Sequence, residues 1–334
     1  MNKKDKKLKI AVLGKYIDRF ANYGMDMRVG WLVKGFEELG QDIKLYVWPD
    51  SEFKKKQIKI FDSKKNIADN FKNLAIVEKI IKDQDKYDII FSQSNSILPF
   101  SSLIKKPIFH TVSFTDLKPE RINLYQTYDK INYIAQSTFL KNRFKFNWSG
   151  ISGNGISTEN FKPIKNIDRK YFLYLGRIHP DKGVDIAVKI CHENNLPLVI
   201  AGMCFDQNFF DTKIKPFLSE NIKYVGEVNF KEKIKLYQQA KALLCPIRYN
   251  ETFSNAMIEA MSCGTPVISF NKGSANEVIA RQKTGFVVKN QKDFLESMFE
   301  IKNIKNKDCR ERVTTNFTYQ KMAQNYLDLF KTKL

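Results

Sequence analysis

Two carboxylates, Glu251 and Glu259, stand eight residues apart in a segment built to start a helix. Thr252 or Ser254 can act as N-cap. Ala256, Met257, Ile258, Ala260 and Met261 give an apolar helical run, Gly264 marks its stop, and Thr265 and Pro266 lead into a strand over 267–270. Eight residues is a little over two turns, so Glu259 can share one side with the helix start that Glu251 precedes. The free N–H groups of a helix start form an anion site. As an isolated pair, the two glutamates also fit acid–base work. Flanking an anion site, they suit a ligand with both phosphates and hydroxyls, such as a nucleotide sugar.

The elements around this segment alternate between strands and helices. Residues 9–13 read as an apolar strand, followed by a Gly-containing loop over 14–24 and a helix over about 25–39 that stops at Gly40. Strands are expected at 42–47, 87–92, 107–111 and 133–137, with a helix over 67–82, a lysine-rich loop or exposed element over 52–65, and a helix beyond 137. The Gly- and Ser-rich stretch 150–156 opens a domain boundary placed between about 150 and 168. The pattern then restarts. Strands are expected at 171–175, 198–201, 222–225, 242–245, 267–270 and 285–288, with helices at 183–194 and 230–240 and a last one at 319–329. Two βα domains of this kind place loops at the carboxyl ends of parallel strands, where ligands bind.

A chain of 334 residues with 43% apolar and 13% aromatic content suits two domains with real cores. No apolar run reaches the length of a membrane span. The basic start, Met1 to Lys7, runs straight into a short core-like strand and does not read as a signal peptide. The five cysteines are odd in number, scattered and free of C-x-x-C spacing, which reads as reduced thiols in a cytoplasmic protein. The net charge of +20 favours an acidic ligand, anionic lipid or nucleic acid. It divides as roughly +12 up to residue 165 and +8 beyond it. Lys, Asn and Ile are all abundant, a bias that an A+T-rich genome also produces. No zinc spacing, RNP pattern or helix-turn-helix accompanies the lysines, so no nucleic-acid partner is expected.

Residues 172–183, with Gly176, Arg177, Lys182 and Gly183, look like a strand-G-R-x4-K-G motif. Glu251 and Glu259 match an E-x7-E motif, and Asn154, Gly155 and Ile156 an interdomain N-G-[IV] segment. Gly202, Gly226, and residues 277–279 with 284–286 supply further landmarks in order. Together these resemble the retaining GT-B glycosyltransferases of family 4, densely in the C-terminal half and more loosely in the N-terminal half.

The resemblance implies an α/β chain of two Rossmann-like βαβ domains facing a deep interdomain cleft. Residues 1–155 would be the acceptor-side domain, with a C-terminal helix about 317–334 packing back on it. Residues 156–316 would bind the nucleotide sugar. Arg177, following a strand, and Lys182, opening a helix, would compensate the leaving diphosphate. Glu259 would bind the ribose hydroxyls, and Glu251 the hydroxyls of the transferred sugar near the reacting carbon. Backbone N–H groups of Phe253, Ser254 and Asn255 would approach the phosphates. Gly24 and Gly176 would line the donor pocket, and Gly226, Glu227 and Val228 would flank the base. His110, read as ending a strand, would contact the donor sugar. The donor is expected to be UDP-linked and the acceptor a glycan, lipid or small molecule, with peripheral contact to an anionic membrane and with no cofactor or essential metal.

The loop 23–28 departs from the family's Y-G-G-x-E-R-V at Met25 and Met27 and keeps Arg28. Bulk at Met25 opposes close backbone approach to a ligand. An impaired nucleotide-binding GT-B protein and a GT-B disaccharide phosphorylase are the rival readings. A dinucleotide oxidoreductase needs G-x-G-x-x-G after the first strand, and the run from Gly14 does not supply it.

Overall fold

The computed structural model describes residues 7–14, 24–48, 53–58, 60, 67–113, 118–165 and 167–334. The chain forms two compact units. Unit 1 is Met1–Gly155 with Tyr319–Leu334, and unit 2 is Ile156–Thr318.

Unit 1 contains β1 (Lys9–Leu13), α1 (Gly24–Glu38), β2 (Asp42–Tyr46), α2 (Asp69–Asp83), β3 (Ile89–Ser92), β4 (Ile108–Val112), α3 (Pro119–Thr127), β5 (Asn132–Ala135), α4 (Thr138–Arg143) and β6 (Trp148–Ile151). All strand pairs are parallel, in the order β2-β1-β3-β4-β5-β6. β3, β4 and β5 are buried at every position, as a parallel sheet covered on both faces requires. That is why they read in the sequence as short, mainly apolar runs, with Ser92, His110, Thr111 and Asn132 as buried polar exceptions.

β6 does not follow this rule. It is half-exposed and carries Gly150, and its register against β5 shifts between Tyr133 and Ile134. A glycine at such an irregularity hides a strand among turn signals. The Gly-rich stretch expected to be boundary therefore begins inside a sheet.

Unit 2 contains β7 (Tyr171–Leu175), α5 (Val184–Glu193), β8 (Leu198–Ala201), α6 (Gln207–Lys213), β9 (Ile222–Tyr224), α7 (Phe230–Gln239), β10 (Ala240–Cys245), α8 (Asn255–Ser262), β11 (Val267–Phe270), α9 (Ala275–Val278), β12 (Gly285–Val288), α10 (Gln291–Glu300) and α11 (Asn306–Asn316). Its parallel sheet runs β12-β11-β10-β7-β8-β9.

The last helix, α12 (Tyr319–Lys331), belongs to unit 1. Tyr319, Met322, Ala323, Tyr326, Leu327 and Phe330 are buried along one stripe at helical spacing. α12 packs on α1 at Gly35, where an added Cβ would lie 2.5 Å from that of Ala323. Phe330 then sits among Phe36, Phe91 and Phe109, with ring centroids 5.8, 5.7 and 4.7 Å away. Among the described residues, no helix is long and apolar enough to cross a membrane.

Candidate active site

Read from its β9 edge, the unit 2 sheet runs β9-β8-β7-β10-β11-β12, so the strand order reverses between β7 and β10. Loops leaving the carboxyl ends of two such strands diverge and open a crevice. The loop after β7 carries Gly176, Arg177 and Lys182. The loop after β10 carries Glu251 and runs into α8. Residues far apart in sequence thus arise from the two strands that flank the switch point.

Lys182 does not open a helix. It ends a 3-10 turn, Pro180–Lys182, and α5 begins only after Gly183, whose φ is +69°. His179 caps this turn, its Nδ1 accepting from the Asp181 N–H at 3.3 Å. A Cβ on Gly183 would lie 1.9 Å from the Pro246 carbonyl oxygen, so glycine meets both the backbone angle and the close approach. Arg248 ties the two loops together. Its N–H donates to the Asp181 carbonyl at 2.9 Å, and its guanidinium donates to the Pro180 carbonyl at 2.5 Å. The same guanidinium pairs with both carboxylate oxygens of Asp185, at 2.7 and 2.6 Å.

This frame brings Lys182 to Glu251. The Lys182 ammonium donates to Glu251 Oε1 at 2.7 Å. The Tyr249 hydroxyl donates to the same oxygen at 3.0 Å, and the Tyr249 ring centroid lies 4.9 Å from the ammonium. Burial alone would depress the lysine, but the Glu251 charge and Tyr249 outweigh it and hold its pKa above the usual range. Burial and Glu251 push the Tyr249 phenol up to about 12. The second carboxylate oxygen, Glu251 Oε2, is buried without a hydrogen-bond partner. The backbone behind it is clamped by the loop after β11, where the Ser274 N–H donates to the Glu251 carbonyl at 3.0 Å.

Glu259 lies on α8 and is 3% exposed. The Tyr237 hydroxyl donates to its Oε2 at 3.0 Å, and Lys233 Nζ lies 3.2 Å from the same oxygen. Both partners come from α7, four residues apart, and α7 is itself started by a capping box between Asn229 and Glu232. Burial first, and Glu259 second, raise the Tyr237 phenol well above its usual range. Burial first, and the Glu251 charge second, raise the Cys245 thiol well above its usual range, so it stays uncharged. The sequence predicts the helix of α7, but not the roles of Lys233 and Tyr237 on it or of Tyr249. The signal available was a lysine and a tyrosine at i,i+4 on a helix facing the motif.

α8 is pinned at its far end. Arg310 donates to the carbonyls of Thr158, Phe161 and Ser262, and Arg169 to those of Cys263 and Gly264, as suits cations at a helix C-terminus. Gly264 takes φ +76° and stops the helix where its sequence position predicts. Ser254 stands at the N-cap, but its side chain makes no capping hydrogen bond. Phe253 is buried and meets Phe317 edge-on at 5.7 Å. Asn255 is the first residue of α8.

The remaining predicted positions are more dispersed. Arg177 is exposed and lies over the Phe205 ring at 5.3 Å, while its carbonyl accepts from the Tyr174 hydroxyl at 2.8 Å. Gly176 donates to Ala201, and the Gly226 carbonyl accepts from Gly202, closing the ends of β7, β8 and β9. Glu227 is exposed and Val228 half-buried in the turn that follows.

Gly24 and His110 belong to unit 1, and Gly24 is the first residue of α1. Residues 15–23 of the loop before it lie outside the described residues. His110 does not end its strand. It is the third of five residues in β4, buried, with Nδ1 unpartnered and the rings of Tyr125 and Tyr133 at 5.8 and 6.1 Å. Burial first, then the Arg28 charge, lower its pKa to about 3, so the imidazole is neutral at ordinary pH. Arg28 is itself buried and donates to the Tyr326 hydroxyl at 3.0 Å and to Gln93 Oε1. It anchors α12. Met27 is 1% exposed, so the departure at that position is filled by core packing.

Residues 156–316 match the family model described as "Glycosyl transferases group 1". Unit 2 belongs to the glycosyl transferases group 1 family. Spore coat protein SA of Bacillus subtilis (strain 168) is 24% identical to the chain over 184 residues, 49% of each protein, so the chain spans about half the length of that relative. Among solved structures, a sucrose-phosphate synthase from Thermosynechococcus elongatus superposes with a TM-score of 0.82 at 18% identity, covering 98% of this chain and 99% of that one. Anabaena Alr3699/HepE in complex with UDP and glucose superposes with a TM-score of 0.75 at 14% identity, covering 96% and 98%. This likeness is one of fold: the group 1 domain and unit 1 together have the GT-B fold, with two six-stranded parallel sheets flanked by helices.

Proposed function

We propose that the chain is a retaining glycosyltransferase that moves a sugar from a nucleoside diphosphate, UDP for preference, to an acceptor hydroxyl. The observation that carries this reading is the buried, unpartnered Oε2 of Glu251 on a carboxylate whose other oxygen holds the Lys182 ammonium. An orphaned buried acceptor costs about 1–3 kcal/mol, which a sugar hydroxyl would recover. The lysine on the same carboxylate supplies a cation for a phosphate. HepE, whose structure holds UDP and glucose, shares the fold and supports a uridine donor.

In the proposed reaction the bond from the sugar's anomeric carbon to the diphosphate breaks. The acceptor oxygen forms its new bond on the same face of the sugar. The acceptor's proton passes to the departing phosphate, so no separate base is needed. Lys182 and Arg177 compensate the leaving charge in place of a metal, Glu259 holds the ribose hydroxyls, and the start of α8 receives phosphate oxygens.

A thermal-shift series with UDP, GDP and ADP, each with and without glucose attached, tests the reading. A ligand that binds the folded chain raises its apparent stability. A rise with UDP and a larger one with UDP-glucose is expected. No rise with any of the six overturns the donor reading. UDP binding without transfer to any acceptor would favour an impaired nucleotide-binding protein, and cleavage that requires inorganic phosphate would favour a phosphorylase.

For unit 1 we propose contact with an anionic bilayer. A groove of about 380 Å³ at the amino ends of β4 and β5 is lined by Lys105, Lys106, Lys130 and Lys333, with no carboxylate among its lining residues. Leu103, beside it in sequence, is 57% exposed. Lysines with an exposed leucine suit headgroups and the acyl boundary.

A further inference from the structure

Glu251 and Glu259 are held in the same way. Each has one oxygen occupied by a lysine ammonium and a tyrosine hydroxyl together, and the other oxygen left over. On Glu251 the occupied oxygen is Oε1, held by Lys182 at 2.7 Å and Tyr249 at 3.0 Å. On Glu259 it is Oε2, held by Tyr237 at 3.0 Å and Lys233 at 3.2 Å. The remaining oxygen of Glu251 is buried without a partner, and that of Glu259 is the one that neither Tyr237 nor Lys233 engages.

The lysines alone do not explain this. An ammonium is a point charge on a flexible stem and can swing between the two oxygens of a carboxylate. A phenol on a stiff side chain with two torsions holds its oxygen in one place and has a single proton to donate. Tyr249 is two residues before Glu251, and Tyr237 comes from another helix. The same arrangement is thus built from two unrelated places in the chain. Both phenols stay protonated: burial and then the neighbouring carboxylate raise each of them. Each is therefore a fixed donor at any ordinary pH.

We propose that Tyr249 and Tyr237 are positioning residues of the donor site, each fixing which oxygen of its glutamate faces the ligand. The inference rests on the donor reading above and adds residues that the sequence motif does not contain. Tyr249 acts through Glu251 and so governs recognition of the sugar. Tyr237 acts through Glu259 and so governs recognition of the nucleoside.

The test is a pair of hydroxyl deletions, Tyr249→Phe and Tyr237→Phe, titrated calorimetrically with UDP and with UDP-glucose. Phenylalanine keeps the ring, and at position 249 it keeps the aromatic face under Lys182. Tyr249→Phe should weaken UDP-glucose by about tenfold, the scale of one hydrogen bond to a charged group, and leave UDP within about twofold. Tyr237→Phe should weaken both ligands by similar factors. In a Glu251→Gln background, Tyr249→Phe should have no further effect on UDP-glucose.

A general loss of structure would weaken both ligands in both variants and lower the unfolding temperature. That result, or no change in either variant, overturns the positioning role while leaving the donor reading intact. If the wild-type chain binds neither ligand, the donor reading falls and this inference falls with it.

Discussion

The Lys182 ammonium and the Glu251 carboxylate meet at 2.7 Å although 69 residues of sequence separate them. Their side chains are only 16% and 18% exposed, so the contact is largely withdrawn from water. A pair of this kind contributes little net stability but is costly to break, because removing one partner strands the other charge. The two residues come from the loops on either side of the strand-order reversal. The pair therefore couples the geometry of the β7 loop to that of the β10 loop.

Lys182→Ala should lower turnover by about 2–4 kcal/mol of transition-state stabilisation, the scale of one strong electrostatic contact to a leaving group. It should also lower the unfolding temperature, because Glu251 is left partly buried with Tyr249 as its remaining partner. Rate of UDP release from UDP-glucose, read beside calorimetry, checks both. Unchanged turnover would remove Lys182 from the site.

Glu259→Gln should chiefly weaken UDP. The amide keeps the volume and still accepts from Tyr237, but it offers a ribose diol a weaker acceptor and leaves Lys233 without its counter-charge. A loss of about tenfold in UDP affinity by titration calorimetry is expected. Unaltered affinity rejects the ribose role.

Much of this architecture was legible in the sequence because its strands are buried on both faces. β7, β8, β11 and β12 stand out as short apolar runs with turn residues at their ends, and the motif residues fall just after them. What the sequence hid has specific causes. α11 buries only Cys309 and Val313 along eleven residues, too sparse a stripe to read as a period. β6 is masked by Gly150. Lys182 was expected to open a helix because its glycine neighbour looks like a helix start, whereas that glycine's left-handed backbone separates a 3-10 turn from α5. The tyrosine and lysine partners of the two glutamates were invisible because they are tertiary contacts, set by how α7 packs on α8 and by how the β10 loop folds back.

Gly183→Ala should disturb the site without touching any charged group. Alanine at φ +69° is strained, and its Cβ would sit 1.9 Å from the Pro246 carbonyl oxygen, so the turn carrying Lys182 must move away from the β10 loop. A stability loss of about 1–3 kcal/mol is expected, from the strained backbone and the lost approach. Turnover should fall by more than the folded fraction accounts for. Wild-type stability in urea unfolding would show that the turn gives way without cost.

The bilayer contact is checked by sedimentation with vesicles. Binding to vesicles with anionic lipid should exceed binding to neutral phosphatidylcholine vesicles and weaken as salt rises, since such attraction is screened within about 10 Å at 0.1 M. The triple substitution Lys105→Glu, Lys106→Glu, Lys130→Glu should abolish the difference while leaving UDP binding unchanged. Equal binding of the triple variant to anionic vesicles rejects the groove as the docking surface.

His110 should make unit 1 sensitive to mild acid. Its folded pKa is lowered to about 3, first by burial and then by Arg28, whereas an unfolded histidine titrates near 6.5. Above that value the residue is neutral in both states, and its burial carries no protonation cost. As pH falls below it, the unfolded chain takes up a proton that the folded chain refuses. Stability should then decline by about 1.4 kcal/mol per pH unit until the folded pKa is approached. Tyr125 and Tyr133, the rings facing His110, have phenols raised by burial and stay neutral throughout. They cannot supply this slope. His110→Phe should flatten the fall in unfolding temperature between pH 6.5 and pH 4.5, and parallel curves for variant and wild type would show that the acid sensitivity arises elsewhere.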